Sequence, residues 1–170
     1  SIDPGAATLF AKKKNLRVIT IPEAHWNAPA PSLMGVWTNE VALVQDDDTG
    51  FPELEKLETV TTHSPAKDQM LALRMAWKVA KHVKSNAIVV ADAEGTVGIG
   101  AGQMSRVDSS HLAVRKAGAA GLKVEGAVAA SDAFFPFPDG VLELAKSGIS
   151  AVIQPGGSIR DEEVIAAANE

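Results

Sequence analysis

The chain has 170 residues, 46% hydrophobic and 22% charged, with a formal net charge of −5. That length holds one substantial domain with a buried core or two very small ones, and the acidic balance removes the electrostatic case for DNA or RNA. The absence of cysteine excludes disulfides, thiolate nucleophiles and Cys-type zinc sites. No apolar run approaches the ~20 residues of a bilayer crossing and no signal peptide is visible, so no membrane partner and a cytoplasmic location are expected.

Ser1-Ile2-Asp3-Pro4 runs almost at once into a helix, and residues 161–170 read as helix with no stop signal behind them. Both ends read as cut, which leaves a fragment or a single structural half open. Residues 5–14 form a short helix with Lys12, Lys13 and Lys14 in its last turn, where the macrodipole favours positive charge. Leu16 to Ile21 reads as a buried strand, and the stretch 22–32, with Pro22, Pro29 and Pro31, as irregular. Val36 to Gln45 is a second strand, closed by the acidic run Asp46-Asp47-Asp48, a solvated turn without the ligand pattern of a calcium loop. Residues 64–83 form the clearest helix, with Ser64 as cap, Pro65 in its first turn, and Met70, Leu73, Trp77 and Ala80 on one face. Trp77 and the two Met residues of this helix are read as core.

From there strands and helices alternate: strand 87–91, a turn at Glu94-Gly95, strand 96–99, helix 104–119, strand 126–130, helix 139–147 ending at Gly148, strand 149–153, and a last helix opened by Ser158 with Asp161 placed for a capping box. The expected fold is α/β, a layered sheet with flanking helices.

Three segments carry chemistry. Gly98 to Arg106 (GIGAGQMSR) is a glycine-rich strand-to-helix junction; it either lets a ligand approach the backbone, with Arg106 as a planar fork for an anion, or is a tight turn that needs glycine. Ser131 to Asp139 (SDAFFPFPD) packs three Phe residues around Pro136, either as a wall for a flat heteroaromatic ligand or as a plug of the core. Gln154 to Ser158 (QPGGS) lies at a strand end, where ligands of α/β sheets sit, and Ser158 can cap the next helix as well. His25, His63 and His111 lie in separate segments without metal-ligand spacing, and no metal site is expected.

Together, residues 83–88 (VKSNAI), GIGAGQMSR (98–106), SDAFFPF (131–137) and QPGGSIRDEEVIAAA (154–168) resemble the AICAR transformylase region of the bifunctional AICAR transformylase/IMP cyclohydrolase family, in the same order and spacing. Residues 11–15 (AKKKN) and 43–46 (LVQD) resemble upstream segments of that region. The resemblance implies the C-terminal half of the transformylase unit, with a cytidine-deaminase-like subdomain over 64–170, an N-terminal segment of short helix and edge strands over 1–63, and one compact unit overall. Deamination itself does not follow, since the paired-Cys zinc signature is missing.

The implied reaction moves a formyl group from the co-substrate 10-formyltetrahydrofolate to the 5-amino group of AICAR. By position, Asn86, Arg106 and Phe134 match nucleotide contacts, and Asp139, Ser158 and Ile159 match folate contacts. Pro138 stands where the family usually has Arg. The family's catalytic Lys-His pair followed by Asn-Pro is absent from this sequence, and Lys81-His82, on the long helix and without Asn-Pro, is not read as its substitute; no catalytic residue is assigned. The implied partners are AICAR, folate, and a homodimer mate or the upstream half. The alternative is a non-catalytic nucleotide- or folate-binding or assembly domain. An unrelated α/β nucleotide hydrolase is disfavoured, because no activated nucleophile can be assembled.

Overall fold

In the computed structural model, the described residues are 2–22, 33–48, 50–51 and 56–170. They divide between two compact units, Ser1–Gly50 and Phe51–Glu170. Segment 57–63, read with the N-terminal part, thus belongs to the larger unit: Leu57 packs on its core, and the Thr62 backbone N and Oγ1 donate to Asn169 Oδ1 at 2.8 and 3.0 Å. Among the described residues no helix is long and apolar enough to cross a membrane.

In the first unit, Asp3 caps helix α1 (Pro4–Ala11), its Oδ1 accepting from the amides of Gly5 and Ala6. The helix stops before the lysine run, so Lys12 is its C-cap and its last turn carries no basic residue. Leu16 to Ile21 is not a strand: its apolar side chains are exposed, and no neighbouring strand among the described residues pairs with it. An apolar run becomes a strand only when a partner takes up its backbone groups. The expected strand over 36–45 is instead an antiparallel hairpin of β1 (Leu33–Trp37) and β2 (Ala42–Asp46), with Val36 opposite Leu43. Thr38 breaks it, its hydroxyl donating to the Val41 carbonyl and accepting from the Val41 amide. His25, Pro29 and Pro31 lie outside the described residues.

The second unit is a three-layer α/β structure. Its mixed sheet has the order β4 (Thr96–Gly100), β3 (Ile88–Ala91), β5 (Val128–Ser131), β6 (Ala151–Ile153). Strand β3 runs antiparallel to both neighbours, and β5 and β6 are parallel. Every residue of β3 and β5 is buried, which is why both read as short uninterrupted apolar or small-residue runs rather than alternating ones. Alternate side chains serve opposite layers. Ile88, Val90 and Ala129 face a core with Phe135, Leu144 and Val164, whereas Val89, Ala91, Val128 and Ala130 face Ala72, Leu73, Ala76 and Ala80 of α2 (Lys67–Ala80). Met70 and Trp77 pack against that second core as expected; Met75 is exposed.

The start of α2 differs from the Ser64 reading. Ala66 is the N-cap, and Gln69 Oε1 accepts from its amide at 2.7 Å. Helix α3 (Arg106–Ala119) is capped by Ser105, whose Oγ accepts from the Asp108 amide. Helix α4 (Asp139–Lys146) ends at Gly148 with φ +88°. Helix α5 (Asp161–Asn169) starts after Arg160, and the expected Ser158–Asp161 capping box is replaced by two local bonds: Ser158 Oγ accepts from the Arg160 amide, and Asp161 Oδ2 from the Gly157 amide.

Gly98 and Gly100 of β4 let α3 lie directly on the strand. A Cβ on Gly98 would overlap the Ala113 carbonyl and one on Gly100 the Ser109 carbonyl, both backbone atoms that cannot swing away. Gly118, inside the same helix, faces open space. Gly100→Ala is therefore expected to lower unfolding stability by about 2–3 kcal/mol. Gly118→Ala should raise it by about 0.5–1 kcal/mol. Urea denaturation of both variants checks the contrast, and equal effects would mean that α3 and β4 are not in backbone contact.

Candidate functional site

The three chemically marked segments meet at one end of the sheet. Arg106 is the first residue of α3, and its guanidinium reaches across to the segment that leaves β5. Its Nε donates to Ser131 Oγ (3.1 Å) and the Ala133 carbonyl (3.3 Å), one terminal nitrogen to Asn86 Oδ1 (2.8 Å) and the other to Asp132 Oδ1 (3.4 Å). The Arg106 and Asp132 side chains are only 13% and 14% exposed, so this ion pair is largely shielded from water. A guanidinium in this arrangement keeps one N–H on each terminal nitrogen for a further acceptor.

Asn86, just before β3, is fixed on several sides. Its Nδ2 donates to the Gln103 carbonyl at 2.9 Å, and its own carbonyl accepts from Ser109 Oγ at 2.7 Å. Asp132 has a second duty: its Oδ1 accepts from the Ala87 amide at 2.8 Å, while its own amide donates to the Ala87 carbonyl. One carboxylate thus ties the start of β3, the end of β5 and the start of α3 together.

The three Phe residues divide between the two readings of their segment. Phe135 is fully buried in the core beside α4, and its amide donates to Gln154 Oε1 at 2.7 Å, joining this loop to the end of β6. Phe134 and Phe137 are 40% and 49% exposed, with ring surface available to a ligand. The third segment joins through Arg160, whose guanidinium carbon lies 4.8 Å from the Phe137 ring centroid. Asp139 is exposed in the first turn of α4, Ser158 is half-buried and Ile159 is fully exposed.

Of the six residues singled out from sequence, Asn86 and Arg106 are in direct contact. Phe134 follows the carbonyl that accepts from Arg106. Asp139, Ser158 and Ile159 flank the Phe137–Arg160 contact in the chain. The glycine-rich junction acts mainly in packing, at Gly98 and Gly100, while Gly102 makes the turn with φ +65°. Sequence reasoning passed over Asp132, Ser131 and Gln154. Asp132 was signalled by its place, an acid at the end of an apolar run, but its partners lie 26 and 45 residues away along the chain.

At Lys81-His82 the Lys81 ammonium sits 4.4 Å over the Phe51 ring and His82 is exposed. A separate cavity of 340 Å³ lies between β6, α2, α4 and α5. Phe135 and Gln154 line it, but Asn86 and Arg106 do not.

Because Arg106 neutralises Asp132 in a shielded place, Arg106→Met is expected to cost about 2–4 kcal/mol of stability, the penalty of an uncompensated carboxylate. Asp132→Asn should cost less, about 1–2 kcal/mol, because the amide oxygen can still accept from Ala87 and Arg106. Guanidinium denaturation measures both; losses below about 0.5 kcal/mol in both variants would show that the ion pair is not the group holding these segments.

The sequence model described as AICARFT/IMPCHase bienzyme matches residues 1–116. The "Bifunctional purine biosynthesis protein PurH" of Jannaschia sp. (strain CCS1) is 52% identical to the chain over 178 aligned residues, covering 99% of the chain and 33% of that protein. The protein of the same description from Dinoroseobacter shibae is 52% identical, covering 98% of the chain and 33% of its own length, and that from Roseobacter denitrificans 51%, covering 99% and 33%. The chain therefore spans about a third of the length of these curated relatives. With the family's sequence model matched along residues 1–116 and half of the aligned positions identical to these relatives, the chain belongs to the AICARFT/IMPCHase bienzyme family.

Proposed function

We propose that this chain is the C-terminal half of the transformylase unit of its family. In this reading it supplies nucleotide and folate contacts for formyl transfer from 10-formyltetrahydrofolate to the 5-amino group of AICAR in purine biosynthesis. The observation that carries the reading is the direct Asn86–Arg106 contact beside an exposed Phe134, at the same sheet end as the loop 154–160. A sheet in which β3 opposes both neighbours, with helices on both faces, supports the cytidine-deaminase-like assignment of the larger unit.

The chemistry asks for such a frame. The amine of AICAR is conjugated with its ring and is a weak nucleophile, so it must be oriented toward the formyl carbon, relieved of a proton and given a partner for the tetrahedral oxyanion. Asn86 and Arg106, locked by Gln103, Ser109 and Asp132, are preorganised to hold a planar carboxamide. Phe134 offers a face for the heterocycle, and Asp139 an acceptor for N–H groups on the edge of the pterin. The proton acceptor is assigned to the upstream half, as the Lys-His-Asn-Pro run does not occur in this sequence. A homodimer mate is part of the same proposal, with the site completed between copies.

A second reading, a non-catalytic binding or assembly domain, draws on the same missing run. A formyl-transfer assay on the chain alone, and on the chain joined to the preceding region of the Jannaschia relative, separates the two. Turnover is expected only in the joined protein. AICAR binding without turnover there would favour the assembly reading, and full turnover by the chain alone would refute the division of labour. In the joined protein, Arg106→Lys should raise the KM for AICAR about tenfold, since an ammonium cannot serve Asn86, Asp132 and a ligand in one plane.

A further inference from the structure

We propose that Gln154 is a positioning residue for the Phe134 ring, the aromatic face that the nucleotide reading above gives to the heterocycle. The inference rests on that reading and adds to it a residue that the sequence resemblance did not assign. In its loop, Phe134 has the peptides on both sides held by side chains. On one side, the Ala133 carbonyl accepts from Ser131 Oγ at 2.6 Å and from Arg106 Nε at 3.3 Å. On the other, the Phe135 amide donates to Gln154 Oε1 at 2.7 Å. The Phe135 ring is fully buried, and Gly140 of α4 lies so near that a Cβ there would come within 2.7 Å of it. Between these anchors the Phe134 ring is 40% exposed.

The two clamps have different origins. The first belongs to the Arg106 cluster, itself held by Asn86 and Asp132. The second comes from the end of β6, 19 residues further along the chain. A peptide is planar, so fixing the planes on both sides of a residue fixes its φ and ψ. The direction of the Cα–Cβ bond follows from them. With the Ala133 clamp alone, Phe134 could turn about its own backbone bonds; Gln154 removes that freedom. A water molecule in its place would satisfy the Phe135 amide without tying it to a strand. A ring aimed in advance loses less freedom when a flat ligand stacks on it. Because an N–H can only donate, the oxygen of the Gln154 amide faces Phe135, and a carboxylate of the same length would keep the bond.

The test is AICAR affinity, measured by calorimetry on the chain joined to the preceding region of the Jannaschia relative, with thermal unfolding of each variant alongside. Phe134→Ala is expected to weaken AICAR about tenfold. Gln154→Leu has a similar volume and no acceptor, and Gln154→Asn is one carbon too short; each should weaken AICAR about three- to fivefold. Gln154→Glu should stay within about twofold of the wild type. In the Phe134→Ala background, Gln154→Leu should change the affinity less than about 1.5-fold, because its effect passes through the ring that has been removed. The melting temperature should fall by similar amounts in both backgrounds. If Gln154→Leu does not fold, the pair Gln154→Asn and Gln154→Glu carries the same comparison. An undiminished loss in the Phe134→Ala background, a Gln154→Glu variant as weak as Gln154→Asn, or lowered melting temperatures with unchanged affinity would overturn the inference and leave the nucleotide reading standing. Unchanged affinity in Phe134→Ala, or no AICAR binding by the wild-type joined protein, would overturn the nucleotide reading and this inference with it.

Discussion

At the end of its sheet where the candidate site lies, the larger unit depends on one charged contact, the guanidinium of Arg106 against the carboxylate of Asp132. Neither group is independent. Asp132 also accepts from Ala87, and Arg106 also donates to Asn86, Ser131 and Ala133, so the pair fastens the start of β3, the exit of β5 and the first turn of α3. Taking both charges out of water is costly, and the cost is tolerable here because these hydrogen bonds occupy several of their donors and lone pairs. A network so filled holds the Arg106 and Asn86 side chains in one orientation.

That contact is possible only because α3 comes very close to β4. Gly98 and Gly100 have no side chain to hold the helix off, and the helix backbone occupies the space. The approach brings Ser109 near enough for its hydroxyl to donate to the Asn86 carbonyl, and sets Arg106 at the helix start within reach of Ser131. Residues chosen for packing in the strand thus decide where a polar side chain stands nearly ten residues later. The small residues of β5 do the equivalent on the α2 face, where Ala72, Ala76 and Ala80 pack without bulk between helix and sheet.

Much of the larger unit was legible because its signals are local. The run at Ile88–Ala91 is apolar throughout, as a strand covered on both faces must be, and Gly148 ends α4 where a left-handed residue is needed. The smaller unit was less legible. Leu16 to Ile21 carries the same kind of apolar run, yet strand formation depends on a neighbour that composition does not reveal. Val36 to Gln45 reads as one strand because a threonine can continue a strand or turn it, and only the bond from Thr38 to Val41 decides. At the site, residue types were readable but pairings were not: Arg106 invites an anion, and nothing in its spacing says that the anion is Asp132.

That pairing bears on what the site prefers to hold. A guanidinium already neutralised at 3.4 Å by a carboxylate contributes little net positive potential, so it gives a phosphate dianion no large advantage over water. Its two remaining N–H groups still have direction, set by the bonds to Asn86 and Ser131. Direction without net charge suits an uncharged carbonyl acceptor on a planar ligand, and next to it the Asn86 amide can meet the complementary donor and acceptor of a carboxamide. If a nucleotide binds as proposed, Arg106 and Asn86 would read its base, and the charge that balances its phosphate has to come from another group. The acidity of the chain as a whole makes that second group a requirement rather than a refinement.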